Sequence, residues 1–225
     1  AGYRYAGKNL DLTGKLNEIL THLPTLQQLV VVPYANTSCT ADDFQTEAKV
    51  ECWEDFYQAE GEPSFTPVPF EQPLYILYSS GTTGVPKCIV HGAGGTLLQH
   101  VKELGLHSDV GADDTLFYYT TCGWMMWNWL VSGLALGATL VLYDGSPFHP
   151  EPTRLIDLID AEEISVFGTS AKFIAALEKA GAKPRETHKL SRLKAILSTG
   201  SPLAHESFDY VYRDIKTDVC LSSIS

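Results

Sequence analysis

The chain has 225 residues, 44% of them hydrophobic and 19% charged, with 16 Lys and Arg against 27 Asp and Glu for a formal net charge of −11. That balance excludes a disordered or fibrous chain and leaves a core large enough for one large or two small domains without disulfide or metal staples. The acidic surplus argues against nucleic acid as the main partner, because phosphate-backbone binding needs a basic surface, whereas small anions need only a few local donors.

Ala1-Gly2-Tyr3-Arg4 shows neither a charged-then-apolar leader nor a cleavage site and reads as a start inside a fold. Leu16, Ile19, Leu20 and Leu23 repeat at helical spacing, and Leu29 to Val32 follows as a short strand stopped by Pro33. The polar stretch from Ala35 to Pro73 carries four prolines, Pro63, Pro67, Pro69 and Pro73, around one amphipathic piece near Phe44 to Tyr57. It reads as a long surface excursion. The pattern then resumes with a strand at Leu74 to Tyr78, a glycine loop, a strand at Cys88 to His91 and a helix from about Gly95 to Leu104.

From Thr115 to Tyr143 there is no charged residue, a length that would span a bilayer. Gly123, Gly133 and Gly137 interrupt the run, Asn128 is polar at its centre, and both flanks are acidic where anchoring Lys or Arg is expected. The better parse is a buried strand at Leu116 to Tyr119, a loop at Thr120 to Gly123, a helix at Trp124 to Leu136 and a strand at Ala138 to Tyr143. Beyond it the sequence predicts helices at Thr153 to Ala161, Ala171 to Ala180 and His205 to Arg213. Strands are predicted at Ser165 to Phe167, Ala195 to Leu197 and Asp218 to Leu221. Strands alternating with helices of this length imply an α/β fold, a mostly parallel sheet with helices on both faces. Ligands of such sheets sit beyond the carboxyl ends of the strands, so the loops after Tyr78, Tyr119, Phe167 and Leu197 are where chemistry is expected.

Cys39, Cys52, Cys88, Cys122 and Cys220 form no Cys-x-x-Cys pair and no short metal-ligand spacing with the seven histidines. That usage reads as a reducing compartment, with no metal ligands to assign. The loop Ser79-Ser80-Gly81-Thr82-Thr83-Gly84-Val85-Pro86-Lys87 gathers hydroxyls, glycines and one lysine, which suits a polyphosphate: glycines let N–H groups turn inward, hydroxyls add donors and the lysine adds a point charge. A Walker A loop would need Gly-Lys-Ser/Thr opening a helix, but here Pro86 precedes Lys87 and a strand follows. The competing reading is a polar hairpin turn without a ligand.

This run resembles the phosphate-binding signature of the acyl-adenylating superfamily, which comprises acyl-CoA synthetases, peptide-synthetase adenylation domains and luciferases; Cys88 stands where many members have glycine. Tyr119-Thr120-Thr121-Cys122-Gly123-Trp124-Met125-Met126-Trp127-Asn128-Trp129 and Leu197-Ser198-Thr199-Gly200-Ser201-Pro202-Leu203 are similar to the superfamily branch whose acid is acetoacetate, more than to the branch whose acid is acetate. The resemblance runs in order over nearly the whole chain and is weakest between Ala35 and Pro73.

The resemblance implies a two-step ligase with ATP, Mg2+ and coenzyme A as co-substrates. The acid's carboxylate attacks the α-phosphate to give an acyl-adenylate and pyrophosphate, and the coenzyme A thiol then displaces AMP. It implies that Ser79, Ser80, Gly81, Thr82, Thr83, Gly84 and Lys87 grip the β- and γ-phosphates, that Gly200, Ser201 and Pro202 contact adenine, that Gly123, Trp124, Met125 and Met126 line the acyl pocket, and that Thr169 and Ser170 lie near the pantetheine arm. No residue is assigned as a nucleophile, since the substrates supply both. Each assignment has a plainer alternative. Trp127, Trp129 and Leu130 read as core, and Thr169 or Ser170 as a helix cap. His91 reads as a locally packed and hydrogen-bonded side chain, and Asn128 as a buried amide that needs either a backbone or a substrate partner.

Also implied is that residues 1–225 form part of a large amino-terminal domain, without the next acidic magnesium-side motif, the ribose-binding aspartate and the small carboxy-terminal domain with its lysine. The chain by itself is then expected not to complete a turnover. Cytosolic placement and a role in lipid and ketone-body metabolism follow from the same resemblance. The alternatives are a non-enzymatic nucleotide-binding module of the same fold and a ligase for another short acid such as acetate; fold alone does not decide among them.

Overall fold

The computed structural model describes residues 2–34, 40–57, 60–79 and 84–224. Internal contacts divide the chain into two compact units, Ala1–Thr66 and Pro67–Ser225.

In the first unit, β1 (Gly2–Tyr5) and β2 (Lys8–Asp11) form an antiparallel hairpin. Its two-residue turn has both φ angles positive, 47° at Ala6 and 77° at Gly7, the conformation whose twist matches that of paired strands. The helix α1 (Thr13–Leu20) follows, with the Asp11 carboxylate accepting the Thr13 N–H and hydroxyl at its start. Then β3 (Gln28–Val31) pairs in parallel with β4 (Lys49–Cys52), and a single turn of helix, α2 (Trp53–Phe56), closes the unit's regular structure. The expected surface excursion across residues 35–73 is therefore corrected in part. Lys49–Cys52 is a paired strand, and Phe44 is buried with Leu20 and Val31 in a small core. Lys49-Val50-Glu51-Cys52 alternates polar and apolar over only four residues, too short a signal to announce a strand that exists by pairing with residues 21 positions earlier.

The second unit opens with the antiparallel hairpin of β5 (Pro73–Ser79) and β6 (Lys87–Gly92), followed by α3 (Ala93–Lys102), which widens into a π-type turn at Glu103–His107. Next come β7 (Thr115–Tyr118), α4 (Met125–Val131) continued by a 3-10 turn at Ser132–Leu136, and β8 (Thr139–Val141). After these, α5 (Arg154–Ala161), β9 (Val166–Ser170), α6 (Ala171–Lys179), the short α7 (Pro184–Thr187), β10 (Ala195–Thr199), α8 (His205–Tyr210) and β11 (Cys220–Ser223) complete the chain. Five of these strands form one parallel sheet in the order β11-β10-β9-β7-β8, as the alternating sequence pattern predicts.

Helices cover both faces, and β7 shows how. Phe117 joins Phe167 and Ile196 in a core beneath α5, α6 and α8, whereas Leu116 and Tyr118 point the other way and pack with Met126, Trp129 and Leu130 of α4. Burial on both sides explains the uncharged run from Thr115 to Tyr143 without a membrane. Among the described residues no helix is long and apolar enough to cross one.

Candidate functional site

The strand order fixes where a crevice opens. From β7 the chain turns to β8 on one side, and from β9 it proceeds to β10 and β11 on the other, so β7 and β9 are neighbours whose onward connections diverge. The loop after β7 leads to α4 on one face and the end of β9 leads to α6 on the opposite face. Such a switch point is where open parallel sheets bind ligands. Register places Tyr118 beside Gly168, Ser198 beside Thr169 and Thr199 beside Ser170. The Gly123–Met126 segment and the Gly200–Pro202 turn thus follow β7 and β10, and Thr169–Ser170 end β9 between them, all toward the carboxyl ends of three adjacent strands.

Each segment is held by local chemistry. Gly200 has φ +90°, a conformation side chains rarely adopt, and the space where a Cβ would stand is open. Ser201 and Pro202 are exposed, and Leu203 anchors the turn by burying its side chain and giving its N–H to Ser223 Oγ at 3.2 Å. Ser170 caps α6, its Oγ accepting the Phe173 N–H at 3.2 Å. Thr169 is fully buried; its carbonyl accepts the Tyr118 hydroxyl at 3.3 Å, and its own Oγ1 and the neighbouring Ser198 Oγ have no partner among the described residues. Burial pushes the Tyr118 hydroxyl's pKa far up, so it stays a donor.

Helix phase separates the four acyl-pocket candidates. Gly123 and Met125 are exposed and Trp124 is half-buried, but Met126 is 3% exposed and packs in the core. Met125 and Trp129, one turn apart on α4, line a cavity of about 460 Å3 whose other walls come from β5, β6 and α3. Trp129 is thus both core, as the sequence predicts, and cavity wall. Asn128 is half-buried, and its backbone carbonyl accepts the Ser132 hydroxyl at 3.0 Å. His91 packs its ring against Tyr75, with centroids 5.2 Å apart, and also faces the cavity.

The phosphate-loop candidates divide differently. Ser80, Gly81, Thr82 and Thr83 lie outside the described residues. Ser79 and Lys87 pair across the hairpin as the last and first residues of β5 and β6, so the loop's two ends are adjacent. Lys87 is exposed and makes no ion pair among the described residues, and Gly84 has φ +125° with open space around it. His100, which lines the cavity, and Ser132, whose Oγ lies 2.8 Å from its Nδ1, were not singled out by the sequence. A lone histidine on a helix signals nothing until α3 is seen to lie against the 3-10 turn that follows α4. No three His, Cys, Asp or Glu side chains among the described residues gather to hold a metal.

Residues 9–220 match the AMP-binding enzyme family. The chain is 53% identical over its whole length to acetoacetyl-coenzyme A synthetase of Rhizobium meliloti (strain 1021) and 49% identical over 98% of its length to acetoacetyl-CoA synthetase of Gallus gallus, in each case spanning 34% of the relative. It is 44% identical over 98% of its length to a malonamoyl-CoA synthetase of Penicillium aethiopicum, spanning 33% of that protein. The solved acetoacetyl-CoA synthetase from Streptomyces lividans superposes with a TM-score of 0.90 at 41% identity, covering all of this chain and 34% of that one. With a parallel sheet that has its switch point between β7 and β9, and a family match over residues 9–220, the chain belongs to the AMP-binding enzymes.

Proposed function

We propose that the protein carrying this chain is an ATP-dependent acid–thiol ligase that activates acetoacetate as its adenylate and transfers the acyl group to coenzyme A. The observation that supports the proposal is the placement of the three candidate segments toward the carboxyl ends of the adjacent strands β7, β9 and β10, in a chain similar to an acetoacetyl-coenzyme A synthetase and a malonamoyl-CoA synthetase. Both acyl groups carry a carbonyl at position 3. A non-enzymatic nucleotide-binding module is the weaker reading, because it leaves the cavity beside Met125 without a use.

In this reading Ser79, Gly84 and Lys87, with the loop between them, hold the β- and γ-phosphates, so that pyrophosphate is the leaving group and charge on the phosphoryl oxygens is neutralised as it develops. The open backbone at Gly200, with Ser201 and Pro202, admits the flat adenine ring. Met125, which lines the cavity, receives the acid there, with Gly123 and Trp124 on the loop just before it, while Met126 supports it from the core. Thr169 acts through position: it is buried, so the pantetheine arm would pass Ser170 and the start of α6. Mg2+ arrives with the nucleotide's phosphates and is assigned no ligand here. Cysteine usage supports a cytosolic setting, and acetoacetate as substrate supports a role in ketone-body carbon and lipid metabolism.

The test is a polypeptide of the relatives' full length that carries this chain, incubated with ATP, Mg2+, acetoacetate and coenzyme A. Formation of acetoacetyl-CoA, AMP and pyrophosphate in equal amounts is expected. Nucleotide binding without acid-dependent pyrophosphate release would favour the binding module.

A further inference from the structure

The cavity beside Met125 is lined by a buried histidine with a hydrogen-bond partner on only one edge of its ring. His100 is 8% exposed, and its Nδ1 lies 2.8 Å from Ser132 Oγ. His100 lines the cavity, and its Nε2 has no hydrogen-bond partner among the described residues. Ser132 Oγ also lies 3.0 Å from the Asn128 carbonyl, so its single proton has two possible acceptors. If the proton goes to Asn128, the imidazole must carry its hydrogen on Nδ1, and Nε2 is an acceptor. If it goes to Nδ1, the hydrogen sits on Nε2, which becomes a donor. An oxygen acceptor entering the cavity selects the second arrangement.

We propose that His100, oriented by Ser132, selects the acid: Nε2–H donates to the carbonyl oxygen at position 3 of a 3-oxo acid whose chain runs inward from the Met125 end of the cavity. This rests on the ligase reading above and adds the group that distinguishes one short acid from another.

Charge and polarity agree with that direction of entry. Glu71 and Glu103 also line the cavity, so a carboxylate pointed inward would meet like charge, whereas a neutral ketone would not. The apolar wall of Val90, Met125 and Trp129 suits the methyl and methylene carbons. Burial holds the His100 pKa below its ordinary value, with Glu103 pulling it up and His91 pushing it down. A neutral imidazole suits a ketone, where an imidazolium would draw a carboxylate instead. Ser132 is a positioning residue, acting on the substrate only through the ring.

The experiment compares acetoacetate with butyrate, which has the same carbon chain without the 3-oxo oxygen, by acid-dependent ATP–pyrophosphate exchange in the full-length polypeptide. A site built to hydrogen-bond a substrate group discriminates strongly against the analogue that lacks it. In His100→Phe the kcat/KM ratio of acetoacetate to butyrate should fall by about 10- to 100-fold. His100→Gln, which keeps a side-chain donor, should recover part of the ratio, and Ser132→Ala should lower it by less than His100→Phe. Should His100→Phe fail to fold, Ser132→Ala and His100→Gln carry the same comparison. A ratio unchanged in the folded variants, in an enzyme that prefers acetoacetate, overturns the role of His100 and leaves the ligase reading intact. Exchange with neither acid in the unsubstituted protein overturns the ligase reading and this inference with it.

Discussion

The ring of Tyr118 occupies the space that a side chain at position 168 would need: a Cβ built on Gly168 would stand 2.0 Å from Tyr118 Cδ2. The same tyrosine donates its hydroxyl to the Thr169 carbonyl, so the ends of β7 and β9 are clamped at the point where their connections part. Gly168 is therefore a steric requirement of the contact between the two strand ends.

Gly168→Ala should destabilise the protein by about 1–3 kcal/mol, the range for overpacking a filled core, because the intruding methyl meets an aromatic ring already packed edge-on against Trp124 and Trp129. Gly14→Ala is the control, since α1 is exposed there and nothing lies within 4 Å of the added Cβ. Equilibrium denaturation in urea should show a lowered midpoint for the first variant and an unchanged or raised midpoint for the second.

At the opposite edge of the sheet, Asp114 joins three segments. Its carboxylate accepts from Lys194 Nζ at 2.9 Å, Ser165 Oγ at 2.7 Å and the Gly111 N–H at 2.8 Å. Burial pushes the carboxyl's pKa up, but these hydrogen bonds and the Lys194 charge outweigh it and hold the pKa below its ordinary value of 3.8. A depressed folded-state pKa stabilises fully above the unfolded value and loses that contribution as pH falls through the folded one. Asp114→Asn should therefore lower stability at pH 7, by about 1–3 kcal/mol for a broken buried hydrogen-bond set, and flatten the acid side of the stability curve below about pH 4. Thermal unfolding between pH 3 and 7 checks both.

Lys87 begins β6 directly across from Ser79 and is exposed, without an ion pair among the described residues. Lys87→Ala in the full-length polypeptide should slow adenylate formation by about 100-fold, the scale for removing one charge-assisted donor to a developing phosphoryl charge. Pre-formed acyl-adenylate should bypass most of the defect. A variant that used ATP normally and failed only with the supplied adenylate would contradict a leaving-group clamp.

Much of the fold was legible because its signal is local. The uncharged run from Thr115 to Tyr143 resolves into β7, α4 and β8 once its glycines and acidic flanks are weighed, and the structure differs there only at element ends. Less legible were features set by distant partners. Lys49–Cys52 becomes a strand only by pairing with Gln28–Val31, and the four-residue α7 is too short for a periodicity signal. At the site, the pattern located the loops but not the helix phase. Successive residues on a helix point about 100° apart, so the tandem Met125-Met126 divides between cavity and core, and only the packing of Met126 against β7 decides which is which. His100 and Ser132 are 32 residues apart and meet only because the end of α3 lies against the turn after α4.

The proposed activation of a 3-oxo acid is measured by ATP–pyrophosphate exchange with acetoacetate and acetate in the full-length polypeptide. A difference in chain length alone changes selectivity by about 1–3 kcal/mol, whereas a hydrogen bond to the 3-oxo oxygen adds to it. The account predicts a higher kcat/KM with acetoacetate. Equal or better kcat/KM with acetate would contradict it.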